Sequence, residues 1–265
     1  MRALEGKRAL VTGAGQGIGR AIAAGLVERG AAGVAIADIS RERAEETAAE
    51  LERMGATALV IEVDLRDPAQ IKRMVAEAVD GLGGLDVLVN NAGIIERLMA
   101  EQTSVDTLPD DVWNAVYEVN LRAVWLATKA AAPHLRASAN DPNIVNAASS
   151  AGITAYPTAP AYGASKAAVI GLTRNSAVDL SPEIRVNCFC PSSTVTPMMQ
   201  GAIDAAADPQ AAMRWMSGAH LLRRPGRAEE VANVACFLAS YEASFVTGAA
   251  YLVDGGALAW RGSFA

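Results

Sequence analysis

GKRALVTGAGQGIG, residues 6–19, decides how this chain is read. Ala9, Leu10 and Val11 form a short apolar run that reads as a buried strand, and it breaks into Gly13, Gly15, Gly17 and Gly19. A helical stripe of Ile18, Ile22, Leu26 and Val27 follows. Strand, glycine turn and helix in that order aim backbone N–H groups and a helix N-terminus at one point, the geometry that holds a pyrophosphate. The spacing G-x-G-x-x-G would need glycine at Ile18 and fails. What stands is G-x-x-x-G-x-G through Gly13, Gly17 and Gly19, and no Gly-Lys-Ser/Thr follows to make a P-loop. Gly13, Gln16, Gly17, Ile18 and Gly19 are candidate dinucleotide contacts, although such turns also occur with no ligand.

Far downstream, PAYGASKAA places Tyr162 four residues before Lys166, behind the serine pair Ser149 and Ser150. In a helix that spacing puts phenol and ammonium on one face. An unperturbed phenol loses its proton near pH 10. An ammonium about 4 Å away, at an effective dielectric of about 20, favours the phenolate by roughly 4 kcal/mol, or about three pKa units. Tyr162 would then titrate near neutrality, where a general acid/base works best. On this pattern alone, a surface Tyr-x-x-x-Lys arising by chance is the alternative.

Together the two elements resemble the short-chain dehydrogenase/reductase family, and further motifs extend the match in the family's order. NNAG spans residues 90–93, VNLRAVW supplies Asn120, NAASSAG supplies Ser149, and GRAEEVANVACFLAS with FVTGAAYLVDGG resembles the family's last helix and strand. The resemblance runs from about Lys7 to Gly256. It implies one Rossmann-like domain over residues 1–265, a doubly wound parallel α/β sheet of about seven strands flanked by helices, with a substrate lid at about 196–222. It also implies Tyr162 as general acid/base, Ser149 on the same substrate oxygen, Lys166 on the nicotinamide ribose, and Asn120 positioning a water beside Lys166. Asp64 and Leu65 match positions that meet adenine, and Asn91 with Gly93 the wall beside the ribose. The family pattern PGxxxT reads PSSTVT here: Pro191 and Thr196 match, Ser192 replaces glycine, and Thr194 stands where an apolar residue is common.

Composition fits this placement. The chain has 265 residues, 51% hydrophobic, enough for one α/β domain with both faces of a sheet covered. The strand-like runs RALVT, GVAIA, TALVIEV, LDVLVN, NIVNA, IRVNCFC and AAYLV alternate with helical stretches, the pattern of a parallel sheet. A net charge of −6 with scattered basic residues argues against nucleic acid as a partner. Cys188, Cys190 and Cys236 lack the companions of a metal site, and no metal is expected. His134 and His220 have no triad partner in the sequence. No secretory or membrane-spanning stretch stands out, and a cytoplasmic protein without a membrane partner is the expectation.

Cofactor choice turns on Asp38, at the end of GVAIADIS. Its carboxylate can accept hydrogen bonds from both ribose hydroxyls and would repel a 2′-phosphate, so NAD is expected over NADP. Asp38 could instead cap the next helix, but Ser40 can do that. Arg97 and the methionine- and alanine-rich stretch after Thr196 leave the substrate open. The expected activity is NAD-dependent interconversion of a secondary alcohol, polyol or sugar and its ketone. The alternatives are a 3-oxoacyl carrier-protein reductase using NADPH and, in another class, a nucleotide-sensing module without catalysis. Surplus apolar residues on the helical stretches 112–135 and 161–180, and the tail with Trp260 and Phe264, point to a homotetramer; the rival reading folds the tail back over its own substrate lid.

Overall fold

Apolar runs and amphipathic segments alternate along the chain, and each takes the form its pattern dictates in the computed structural model, which describes residues 3–204 and 206–260. The first half contains β1 (Arg8–Thr12), α1 (Gly17–Glu28), β2 (Gly33–Asp38), α2 (Arg41–Arg53), β3 (Thr57–Glu62), α3 (Pro68–Leu82) and β4 (Val87–Asn90). The second contains α4 (Asp110–Tyr117), α5 (Ala123–Arg136), β5 (Asn143–Ala147), α6 (Pro160–Asp179) and β6 (Arg185–Pro191). The chain continues through β7 (Thr194–Val195), α7 (Pro197–Asp204), α8 (Pro209–Gly218), β8 (Gly226–Arg227), α9 (Ala228–Ala239) and β9 (Ala250–Val253).

Seven strands pair in the order β3-β2-β1-β4-β5-β6-β9, every pair parallel. All seven apolar runs of the sequence are these strands. β2, β4 and β5 are buried along their whole length, which is why they read as unbroken apolar runs rather than as alternating ones. One face is covered by α1, α2 and α9, with Ile22, Leu26, Leu51, Val231 and Leu238 in its core. On the other, α3, α5 and α6 contribute Ile71, Met74, Ala127, Leu135 and Ala177. The chain winds outward from β1 through β2 to β3 and then returns to β4 on the far side of β1. The C-terminal ends of β1 and β4 therefore diverge, and the crevice between them is where such sheets bind ligands.

Local signals place the helix ends. Ser40 Oγ accepts from the Arg43 N–H at 3.4 Å, so Ser40, not Asp38, caps α2. Asp67 caps α3 through the Ala69 N–H at 2.8 Å, and Pro68 fills the first helical position. Asp64 is thereby released from a capping role. The stretch 112–135, expected as one long helix, is interrupted between α4 and α5 by a widened π-type turn, Glu118–Arg122. A short ladder of β7 with β8, unannounced by any apolar run, ties the chain after β6 to the start of α9.

The N-terminal end of the sheet, remote from the crevice, is held by ions. Asp141 binds Lys7 at 3.0 Å and Arg185 at 3.0 Å, and Arg185 also donates to the carbonyls of Leu238 and Ser240. Lys7 is buried, and that burial is the main cause holding its pKa below the usual lysine value. Replacing Asp141 with alanine strands two enclosed cations and should cost about 3 kcal/mol of stability. Urea unfolding of Asp141→Ala checks this, and a loss too small to measure would show the network to be dispensable.

Candidate active site

Backbone contact comes first at the crevice. Gly13 has φ +63°, and a Cβ there would stand 2.8 Å from Ala92 Cα. At Gly19 a Cβ would stand 2.1 Å from the Gly13 carbonyl oxygen, so no side chain fits either position. Thr12 Oγ1 accepts from the N–H groups of Asn91 and Ala92 at 3.0 and 3.1 Å, and Asn91 Nδ2 donates back to the carbonyls of Thr12 and Gly13 at 3.0 and 3.2 Å. The turn after β1 and the NNAG loop after β4 are thus laced together, with Asn91 as the lace. Gln16 immediately precedes α1 in extended conformation, and Ile18 packs against the core below.

Asp38 ends β2 beside this turn, 7% exposed. Its carboxylate accepts from the N–H groups of Gly15 at 2.9 Å and Ser40 at 3.0 Å, and the Arg43 guanidinium lies 3.6 Å away. The Arg43 Nε is buried with no hydrogen-bond partner among the described residues. A bare glycine turn, a carboxylate at its edge and an adjoining guanidinium fit an adenosine ribose and pyrophosphate. Asp64 is committed differently: it accepts from Arg66, at 2.8 Å from the guanidinium, and that hydrogen bond holds its carboxyl below the usual range. Leu65 packs on the face covered by α3 and α5.

The motif residues from three other elements converge next to the NNAG loop. Lys166, on α6, is 3% exposed and donates from Nζ to the Ala147 carbonyl at the end of β5, at 2.7 Å. Its ammonium lies 5.7 Å from the centroid of the Tyr162 ring. Gly93 fits between Lys166 and Asn120, since a Cβ there would stand 3.3 Å from both Lys166 Nζ and Asn120 Oδ1. Asn120 sits in the π-type turn, fully buried, and exchanges both hydrogen bonds with the Ile94 backbone at 2.8 and 2.9 Å while donating to Ser165 Oγ at 3.1 Å. Ser149 accepts from the Ala151 N–H at 3.1 Å and approaches the Pro191 carbonyl at 3.4 Å, which directs its hydroxyl to the mouth between β5 and β6.

Charge does not follow the sequence expectation. Burial raises the Tyr162 pKa above the usual phenol value; Ser149 opposes this, and Tyr156 and Glu96 add to it. Burial also pushes the Lys166 ammonium down to about 8. The expected depression of the phenol by Lys166 is absent because the ammonium is drawn to the Ala147 carbonyl and faces the ring, so desolvation outweighs attraction.

Pro191, Thr194 and Thr196 line the far side. Thr196 caps α7 by accepting from the Met199 N–H at 3.3 Å and faces Gly17, where a Cβ would stand 3.4 Å from its methyl. Thr194 is buried, its hydroxyl on the Ser192 carbonyl at 2.9 Å. Ser192 keeps negative φ, so its departure from glycine brings no strain. In the stretch 196–222, Met199, Ile203 and Met216 pack on one another, whereas Met213 and Trp215 are exposed. Tyr156 joins this stretch to the loop before α6: its ring meets Trp215 edge-on at 5.4 Å, and its hydroxyl lies 3.4 Å from Ser193 Oγ. Arg97, whose role the sequence leaves open, donates to the carbonyls of Pro157 and Thr158. Ala257 and Ala259 turn back onto Asp254 and Gly256, beside Leu221; Phe264 lies outside the described residues. Tyr156, Arg43, Thr12 and Glu96 escaped the sequence reading.

A family model described as "Enoyl-(Acyl carrier protein) reductase" matches residues 13–257. An "Uncharacterized oxidoreductase" of Thermotoga maritima is 37% identical over 96% of this chain and 98% of its own length. The chain belongs to the short-chain dehydrogenase/reductase family. Two solved structures share its fold over nearly the whole chain. One is a short-chain dehydrogenase of Burkholderia cenocepacia in complex with NADP, 39% identical, TM-score 0.86, covering 97% of this chain and 99% of that one. The other is carveol dehydrogenase of Mycobacterium avium in complex with NAD, 32% identical, TM-score 0.90, covering 98% and 100%. As a member, this chain is an NAD(P)-dependent oxidoreductase acting on CH–OH groups. Among the described residues, no cluster of three or more His, Cys, Asp and Glu could hold a metal ion, and no helix is long and apolar enough to cross a membrane. Cys188, Cys190 and Cys236 are buried and free of disulfides.

Proposed function

We propose that this oxidoreductase uses NAD to interconvert a secondary alcohol, polyol or sugar and its ketone, with Tyr162 as general acid/base. The observation that carries the reading is the convergence of Ser149, Tyr162, Lys166 and Asn120 beside Gly93, at the divergence of β1 and β4. Bound nicotinamide supplies the hydride acceptor. In oxidation, Tyr162 takes the hydroxyl proton while Ser149 donates to the same oxygen and stabilises the charge that develops there. Lys166, which donates to the Ala147 carbonyl, would hold the nicotinamide ribose when the cofactor is bound, and an ammonium turned toward the phenol would favour the phenolate. Asn120 holds Ile94 and Ser165 in place, and so fixes the wall beside Lys166. Gly13, Gln16, Gly17, Ile18 and Gly19 hold the pyrophosphate, Asp64, Leu65, Asn91 and Gly93 border the adenosine, and Pro191, Thr194 and Thr196 border the nicotinamide. The segment 196–222 closes over the substrate as a lid.

Asp38 supports NAD because its carboxylate lies at the ribose edge and would meet a 2′-phosphate as a like charge. Arg43 favours the second reading, a 3-oxoacyl carrier-protein reductase using NADPH, since a guanidinium beside Asp38 could receive that phosphate. A nucleotide-sensing module without catalysis would have no use for Tyr162 and Lys166 together. Buried, unpaired cysteines suit a cytoplasmic protein. For assembly, we infer a homotetramer whose first contact pairs α5 and α6 with their copies. Its outer face carries a groove of about 650 Å³ lined by Asn114, Tyr117, Leu121, Trp125 and Leu172, with Trp125 48% exposed. The second contact would use the chain end around Trp260.

Tyr162→Phe should lower kcat for alcohol oxidation about 10²- to 10⁴-fold while NAD binding is retained. Turnover close to that of the unaltered enzyme would refute the acid/base role. Asp38→Ala should shift the preference from NAD toward NADP by about 1 to 3 kcal/mol. Initial rates with both cofactors measure it, and an unaltered enzyme already faster with NADPH than with NADH would establish the second reading. Light scattering coupled to size exclusion should give a tetramer's mass; a monomer at micromolar concentration would end the assembly proposal.

A further inference from the structure

Glu96 is fully buried at the start of the helix that carries the reacting phenol. It begins a one-turn helix, Glu96–Leu98, that follows the NNAG loop. Its Oε1 accepts from the N–H groups of Ala161 at 2.8 Å and Tyr162 at 3.2 Å. Those are free donors in the first turn of α6, whose own N-cap, Ala159, has no side-chain acceptor to offer. Pro160 has no N–H, and Gly163 already donates to the Ala159 carbonyl at 2.9 Å. The helix that carries Tyr162 and Lys166 is thus capped by a residue more than sixty positions away in sequence. The other oxygen, Oε2, is buried and has no hydrogen-bond partner among the described residues.

We propose that Glu96 is a positioning residue for the reaction, capping α6 from another loop and thereby fixing the Tyr162 backbone while setting a carboxyl group at the start of the helix that bears the phenol. Resting on the assignment of Tyr162 as acid/base, the inference extends it. The two N–H groups at the start of α6 satisfy one oxygen of this buried carboxyl. A negative charge on Glu96 opposes formation of the Tyr162 phenolate. Surrounding charges do not cancel it. Arg97, the adjacent cation, donates to the carbonyls of Pro157 and Thr158 and lies 5.9 Å from the Tyr156 ring. Of the elements packed on the Glu96 turn, α4 carries Asp110 and Asp111 and α7 carries Asp204, all exposed. Tyr156, Ser149 and Lys166 are the remaining titratable or polar groups around the phenol. Glu96 therefore trades basicity against placement: it makes Tyr162 harder to ionise and holds it where ionisation is useful.

Two substitutions separate the effects. Glu96→Gln keeps an acceptor oxygen for the two N–H groups and removes the charge; Glu96→Asp keeps the charge and withdraws it from the helix end. The ionisation of Tyr162 is read by NMR in NAD-saturated enzyme labelled with ¹³C at tyrosine Cζ, with Tyr162→Phe assigning the resonance. In Glu96→Gln the midpoint should fall by about one pH unit, because removal of a nearby negative charge favours the phenolate. The low-pH limb of kcat/KM for alcohol oxidation should move down with it. In Glu96→Asp the midpoint should stay while kcat on the plateau falls about tenfold, the cost of misplacement. An unmoved midpoint in folded Glu96→Gln overturns the proposal and leaves Glu96 a cap only. Failure of Glu96→Gln to fold also overturns it, since the retained acceptor should suffice for the helix. The NMR midpoint needs no turnover, so it judges Glu96 even if Tyr162→Phe shows the acid/base reading to be wrong.

Discussion

The closeness of two backbone segments, the turn after β1 and the loop after β4, is the constraint on which the rest depends. Gly13 abuts Ala92 and Gly19 abuts the Gly13 carbonyl, with no space for a Cβ at either contact. Thr12 and Asn91 convert that proximity into four hydrogen bonds. Because NNAG is fixed in this way, Gly93 can sit against Asn120 and Lys166, and the chemistry on α6 is referenced to the cofactor crevice through backbone rather than through flexible side chains. Sites supported on rigid elements hold their geometry better than sites on loops.

Burial sets the electrostatics of this site more than proximity does. Tyr162 and Lys166 are both moved toward their uncharged forms, the phenol upward and the ammonium down to about 8. Bringing the two into ionic contact would reverse both shifts at once, since each charge stabilises the other. Asp38 is supported differently. Two backbone N–H groups and Arg43 meet its carboxylate at the edge of the same crevice, where it is almost wholly enclosed.

Much of this was legible beforehand. The seven strands were visible because a sheet covered on both faces leaves continuous apolar runs, and Ser149, Tyr162, Lys166 and Asn120 stood in motifs of fixed spacing. Glu96 was not visible, because its significance lies in a contact with a helix far along the chain, and the sequence around it carries no capping pattern for that helix. Tyr156 escaped for a like reason, being defined by Trp215 and Ser193 across the mouth. The pKa of Tyr162 was misjudged because helical spacing fixes which face a lysine occupies but not which acceptor its ammonium chooses. The turn at 118–122 was hidden inside a stretch whose composition is helical throughout.

That turn has a geometric consequence for the chain's tolerance of change. A π-type turn holds one residue more than the α-helix around it. Deleting one residue from Glu118–Arg122 would close the widened turn into ordinary winding, leaving the helix on either side near its present phase but moving the residues inside the turn. Asn120 faces inward from this turn, while Glu118, Leu121 and Arg122 line the outer groove with Trp125. One length change would turn the amide away from Ile94 and displace Leu121 and Arg122 from the groove's wall in the same movement. Inner wall and outer surface are therefore a single mechanical unit, and variation in length that loops elsewhere on the molecule could absorb has no place to go here.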